Sequence, residues 1–86
     1  MATKNIKSIE NSVKKVFLKI FSSELKEKSF NFNKKQDKFQ NWDSFSHMEL
    51  VAEIENEFGI NLEMEEIILL RSPQDFVSLI KRKKKS

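Results

Sequence analysis

Residues 41–59 read NWDSFSHMELVAEIENEFG, and this stretch decides the fold. Asp43 and Ser44 carry short side-chain oxygens that accept hydrogen bonds from the unpaired N–H groups of a first helical turn. Gly59 fits the left-handed position that follows a helix end. We therefore predict a helix from about Ser44 to Phe58, with Asp43 or Ser44 as its N-cap.

Helical spacing divides this predicted helix into two faces. The face expected to point to the core holds His47, Leu50, Val51, Ile54 and Phe58. The other face holds Phe45, Met48, Glu49, Ala52 and Glu53. The stretch contains five acidic residues and no Lys or Arg. These acids are either an ordinary solvated face or a surface that attracts a basic partner, since such charges speed and orient encounter.

The chain before this helix contains one further long helix and a loop. Apolar residues recur at steps of three and four from Ile6 to Phe21, which predicts an amphipathic helix over residues 4–22. Residues 22–42 are polar but contain recurring aromatics, so we expect a long loop that is pinned to the core. A short helical turn near residues 24–28 is compatible with that loop.

The chain after Gly59 predicts two more helices. A largely apolar run predicts a short helix over residues 65–70. Ser72, Pro73 and Asp75 then form a helix start, with Ser72 as N-cap and Asp75 as a capping acid at the third position. The sequence thus predicts a single all-α domain over residues 1–86, a bundle of three longer helices and one short helix, with residues 81–86 as a disordered basic tail.

Composition excludes several classes of function. The chain has no cysteine, so it forms no disulfide or thiolate metal site, and a single His47 argues against a histidine metal site. No apolar run approaches the roughly 20 residues of a membrane span. Residues 1–6 show no signal-peptide pattern, so we expect a soluble, cytoplasmic monomer. The net charge of +3 divides into −8 over residues 43–66 and +11 over the rest, which gives two poles able to attract different partners.

Ser44 is the residue at which we look for chemistry. A hydrolase is excluded because the chain lacks a G-x-S-x-G elbow and its one histidine, His47, lies on the predicted core face. A serine in the first turn of a helix is instead a favourable place for a phosphodiester, because the free N–H groups and the helix dipole stabilise the negative charge. Trp42 is expected to anchor the loop by packing.

The sequence resembles the acyl carrier protein family. Asp43-Ser44-Phe45 stands where the family has Asp-Ser-Leu at the start of its second helix, and MELVAEIENEFGI over residues 48–60 matches its acidic helix in register. The resemblance also covers residues 60–80 without a gap and is looser over residues 23–40. Phe45 in place of leucine, Glu63-Met64 in place of the family's Pro-Asp cap and a basic remainder depart from the family's pattern.

The resemblance implies a non-catalytic carrier with 4′-phosphopantetheine attached to Ser44 by a phosphopantetheinyl transferase that uses Mg²⁺ and coenzyme A. The thiol of that group would hold acyl intermediates as thioesters for acyl-loading and acyl-transferring enzymes. It also implies that partners dock on Asp43, Phe45, Met48, Glu49, Ala52 and Glu53.

Two alternatives stay open. One is an aminoacyl or peptidyl carrier of a secondary or cell-surface pathway, served by aminoacyl-loading enzymes. The other is a small basic helical module that binds nucleic acid or an anionic membrane surface through its lysine-rich helix and tail. No aromatic residues are interleaved with the basic run over residues 81–85, which disfavours nucleic acid.

Overall fold

The computed structural model describes residues 2–85 and the side chains of residues 8–84. Within that range the chain forms an all-α bundle, as predicted. The four helices are α1 (Ala2–Ile20), α2 (Ser44–Phe58), α3 (Met64–Ile67) and α4 (Pro73–Lys85). Two short 3₁₀ helices, Glu27–Ser29 and Gln36–Lys38, interrupt the long loop between α1 and α2. No helix in this range has both the length and the apolarity to span a membrane.

Helix α1 packs against both α2 and α4 and supplies one wall of the core. Val13 and Phe17 are fully buried, and Val16 is nearly so. The helix ends at Ile20, two residues earlier than predicted, although Phe21 still donates its N–H to the Phe17 carbonyl at 2.9 Å. Serines at positions 22 and 23 favour turns over helix interior, which explains the early end.

An aromatic cluster centred on Phe17 joins α1, the loop and α4. Rings of the loop residues Phe39 and Trp42 lie with centroids 6.1 Å and 5.3 Å from that of Phe17, and the α4 residue Phe76 lies at 5.4 Å. Trp42 meets Phe39 edge-on at 4.9 Å and is only 6% exposed. Large rings in such edge-on contacts contribute strongly to core stability, so Trp42 is the packing anchor that the sequence predicted.

Backbone hydrogen bonds also hold the long loop in place. The Gln74 N–H, one of the unpaired donors of α4's first turn, donates to the Phe32 carbonyl at 2.8 Å. The Glu24 carboxylate accepts from the backbone N–H groups of Gln40 and Asn41, both at 2.9 Å. The loop is therefore pinned at both ends, and its last residues enter α2 from a defined position. The helical turn predicted near residues 24–28 lies slightly later, at Glu27–Ser29.

Helix α3 is shorter than predicted and has a cap that the sequence did not lead us to expect. The predicted helix over residues 65–70 is one turn, Met64–Ile67. The Glu63 N–H donates to the Glu66 carboxylate at 2.7 Å, so an acid inside the helix closes its first turn. Glu63 and Met64 do replace the family's Pro-Asp pair, and the bond to Glu66 caps the helix in its place.

Helix α4 starts as predicted but continues further. The Ser72 hydroxyl accepts from the Asp75 N–H at 3.2 Å, whereas the Asp75 carboxylate accepts from the Arg71 N–H and not from Ser72 itself. The helix runs through residue 85, where a disordered tail was predicted from residue 81. Lys83 pairs with Glu66 at 3.1 Å, and Lys84 Nζ lies 3.4 Å from the Phe58 carbonyl. These contacts give the basic end of α4 partners on α3 and α2.

Candidate functional site

Ser44 is the first residue of α2, and Asp43 is its N-cap. The Asp43 side chain accepts from the Ser46 N–H at 3.0 Å, and its backbone is extended with φ −111°. Of the two cap residues that the sequence allowed, the structure selects Asp43. The Ser44 side chain is exposed, and no described residue hydrogen-bonds to its hydroxyl. The serine is thus released from capping and open to a modifying enzyme.

Ser46 completes this helix start, and sequence reasoning missed it. Its hydroxyl accepts from the Asp43 N–H at 2.9 Å and donates to the Asn41 carbonyl at 2.9 Å. Ser46 is buried, so these bonds fasten the chain on both sides of Ser44. The signal was the spacing of three between Asp43 and Ser46, which is the spacing of a capping box, although Glu or Gln is the usual partner.

The hydrogen bonds from Ser46 also stabilise the ionised form of Asp43. The backbone N–H of Ser46, followed by its side chain, holds the pKa of Asp43 below its usual value. Asp43 therefore keeps a negative charge next to Ser44 at neutral pH.

His47 is half-buried and joins three elements. The Trp42 indole Nε1–H donates to His47 Nδ1 at 2.9 Å, and His47 Nε2 lies 2.9 Å from the Ile67 carbonyl. Because Nδ1 accepts, the network assigns the ring proton to Nε2, which donates to Ile67. Both nitrogens are engaged away from Ser44. This agrees with the predicted packed histidine and leaves no nitrogen free to activate the serine.

The predicted docking face of α2 is mostly open to solvent. Phe45 is 73% exposed, and Met48, Glu49 and Ala52 are exposed as well. Glu53 is half-buried, and its carboxylate pairs with Lys19 of α1 at 3.2 Å. That pair is itself largely exposed, so it is a weak interaction that a basic partner can replace.

Helix α3 and the two residues that follow it add apolar surface near this face, which was not predicted from the sequence. Met64, Ile68 and Leu69 are exposed, and Leu69 reaches 71%. The signal was the run of four apolar residues at 67–70, because a one-turn helix cannot turn four consecutive side chains to the core. Ile67 and Leu70 are the two that are buried.

A groove of about 490 Å³ opens beside Ser44, between α2, α3 and the segment that precedes α4. Its lining residues are Gln36, Ser44, His47, Met48, Met64, Ile67, Ile68, Leu70 and Arg71. More than half of them are apolar. The groove has room for a slender, partly apolar group next to the serine.

These features fit a covalent phosphodiester on Ser44. The serine lies on the first turn of a 15-residue helix, where the dipole and the free N–H groups favour an anion. An attached group has the groove beside it and solvent around it.

Comparison with known proteins gives one match. The family described as "Phosphopantetheine attachment site" matches residues 17–80, which is 64 of the 86 residues. No curated protein and no solved structure matches the chain significantly.

Proposed function

Because the chain belongs to the phosphopantetheine attachment-site family, whose members covalently carry 4′-phosphopantetheine, we propose that it is an acyl carrier protein with the group on Ser44. The chain is a phosphopantetheine carrier by family, and such carriers are generally non-catalytic. The attachment of the group to Ser44 and its acyl cargo go beyond the family match and are proposals.

The proposal rests on which residues cap the start of α2 and which residue they leave exposed. Asp43 and Ser46 cap the helix between them, and the intervening Ser44 is exposed with a hydroxyl that no described residue binds. A serine needed for the fold would make the capping bonds itself. This one is held in place by its neighbours and left available.

Attachment is a phosphoryl-type transfer in which the chain supplies the nucleophile. The Ser44 oxygen would form a bond to the β-phosphorus of coenzyme A and release adenosine 3′,5′-bisphosphate. The hydroxyl proton passes to a base, which with Mg²⁺ belongs to the transferase, since His47 has both nitrogens bonded elsewhere. Once bound, the group supplies a thiol that holds acyl groups as thioesters. The chain has no cysteine, so no thiol of its own competes for the acyl group.

The surface around Ser44 supports docking of transferase and acyl-handling enzymes. The exposed ring of Phe45 and the side chain of Met48 offer apolar contact, and Asp43 and Glu49 offer negative charge. Aromatic anchors inside a charged rim are the usual anatomy of a transient interface.

An acyl cargo is favoured over an aminoacyl or peptidyl one by the groove. Its apolar walls of Met48, Met64 and Ile68 suit an alkyl chain better than an ammonium group. The mass of the loaded group on protein isolated from its native host tests this choice.

Intact-mass measurement tests the attachment site. Wild-type protein incubated with coenzyme A, Mg²⁺ and a promiscuous transferase is expected to gain the mass of one phosphopantetheine. Ser44→Ala is expected to gain none, and Ser29→Ala, which alters an exposed serine of the first 3₁₀ helix, is expected to behave as wild type. Modification of Ser44→Ala, or an unmodified wild type with several transferases, overturns the proposal.

A further inference from the structure

Arg71 is the one residue with a formal charge among the described residues that line the groove beside Ser44. The other polar side chains there are Gln36, Ser44 and His47. The groove thus combines apolar walls with a single cation. A single charge in such a place determines which ionic group the groove accepts.

The backbone of Arg71 is fixed on both sides. Its N–H donates to the Asp75 carboxylate at 2.9 Å, and its carbonyl accepts from the Gln36 N–H at 2.7 Å. Arg71 therefore holds its position at the edge of the groove while its side chain remains exposed.

The Arg71 guanidinium has no hydrogen bond or ion pair to any described residue. The acid closest along the chain, Asp75, is occupied by the backbone N–H of Arg71. Two basic side chains elsewhere form ion pairs, Lys19 with Glu53 and Lys83 with Glu66, whereas others such as Lys28 are exposed and do not line the groove. The guanidinium of this groove residue is therefore available to a bound anion.

A second depression, of about 590 Å³, continues from the groove. Arg71 and Gln36 line both, and Lys35 and Asp37 line the second depression only. Arg71 therefore borders both the groove that contains Ser44 and this second depression.

Resting on the proposed function, we propose that Arg71 binds an anionic group carried on Ser44. A guanidinium binds phosphate or carboxylate oxygens with two parallel N–H bonds, which a lysine ammonium does not reproduce. The anion is either the phosphodiester next to Ser44 or the free carboxylate of a dicarboxylic acyl group. Their shared chemistry is an oxyanion presented to the groove.

Nuclear magnetic resonance of arginine Nε–H groups tests the contact on the intact protein. The ¹⁵N-labelled chain has only two arginines, so Arg82 serves as an internal control in every spectrum. Four forms are compared: unmodified, phosphopantetheinylated, butyryl-loaded and succinyl-loaded, each verified by mass. The Arg71 Nε–H resonance is expected to move downfield on modification while that of Arg82 stays in place, and added salt should reduce the shift.

The four forms separate the two sources of the anion. A shift that appears with phosphopantetheine alone identifies the phosphodiester, and a shift that appears only with the succinyl group identifies the cargo carboxylate. Thermal unfolding of the same forms gives a second readout, in which the contact is expected to raise the melting temperature of the loaded wild type above that of the unmodified protein. Arg71→Lys is expected to retain part of this rise and Arg71→Gln none. Lys28→Gln, which removes an exposed charge from the first 3₁₀ helix, is expected to retain it fully.

Three results overturn the inference. Loading of Ser44 with no movement of the Arg71 resonance in any form does so and leaves the proposed function intact. A shift that appears equally with butyryl and succinyl groups but not with phosphopantetheine alone also does so, because the contact is then not with an anion. Failure to load Ser44 at all overturns the inference and the proposed function together.

Discussion

Replacing His47 by alanine is expected to destabilise the protein by about 2–4 kcal/mol. The substitution removes two hydrogen bonds of 2.9 Å, and the one to the Ile67 carbonyl has a net value of about 0.5–1.5 kcal/mol. The Ile67 carbonyl keeps a second partner, the Leu70 N–H at 3.2 Å. Among the described residues the indole N–H of Trp42 has no other partner, and leaving such a donor unpaired in a side chain that is 6% exposed costs about 1–3 kcal/mol.

This loss is a large fraction of the total free energy of unfolding. A chain of 86 residues has an unfolding free energy of about 4–13 kcal/mol. Urea unfolding measures the change, and the fluorescence of Trp42, the only tryptophan, reports on the altered contact directly. Far-UV circular dichroism over the same titration tests whether the transition remains two-state.

Two conservative variants separate the hydrogen bonds. Asparagine at position 47 places an acceptor near the position of Nδ1, whereas glutamine places a donor near that of Nε2. His47→Asn should therefore recover more stability than His47→Gln, because Trp42 is the partner without an alternative. Met48→Ala, at the exposed neighbouring position, should change stability by less than about 0.5 kcal/mol. A change below about 0.5 kcal/mol for His47→Ala, or no recovery in His47→Asn, would refute the reasoning.

Three further predictions concern α2. Gly59→Ala should lower the free energy of unfolding, measured in urea, by about 1 kcal/mol. Gly59 has φ 62° and an added Cβ meets no atom within 4 Å, so only the left-handed backbone is unfavourable for alanine; an unchanged midpoint would contradict this. The pKa of Asp43 is lowered in the folded state, so its contribution to stability is present above the ordinary aspartate pKa of about 4 and is lost as pH falls through the lower folded value. The free energy of unfolding, measured from pH 6 to pH 2, should therefore fall less in Asp43→Asn than in wild type. Identical slopes would disprove this. Glu49→Lys should slow modification of Ser44 at low salt and less so at high salt, while Glu27→Lys, an exposed charge in the loop, should not; equal rates for both variants would argue against docking on α2.

Local signals in the sequence were sufficient for the bounds of α2, for the start of α4 and for the candidate serine. The start of α2 at Ser44 and its end before Gly59 follow from side-chain capping and from a left-handed residue, which act within one turn. The start of α4 at Pro73 follows in the same way from Ser72. Such effects depend on residues three or four apart, so a short stretch of sequence contains all the groups that form these bonds.

Errors arose where contacts between distant residues decide the outcome. The basic end of α4 reads as a frayed tail in isolation, but Lys83 meets Glu66 and Lys84 meets the carbonyl of Phe58, 26 residues earlier. The cap of α3 was missed because glutamate replaced a familiar Pro-Asp pair, although Glu66 performs the same bonding from inside the helix.

The amino-acid sequence by itself determined where α2 and α4 begin, which serine begins α2 and to which family the chain is similar, because capping and periodicity are short-range. Only the tertiary structure decided that both nitrogens of His47 are occupied, by Trp42 and by the distant Ile67. It alone brought Arg71 to the groove beside Ser44, 27 positions earlier in the chain. Such neighbours are set by how α2, α3 and the loop pack around the core, and no periodic pattern along the chain records that packing.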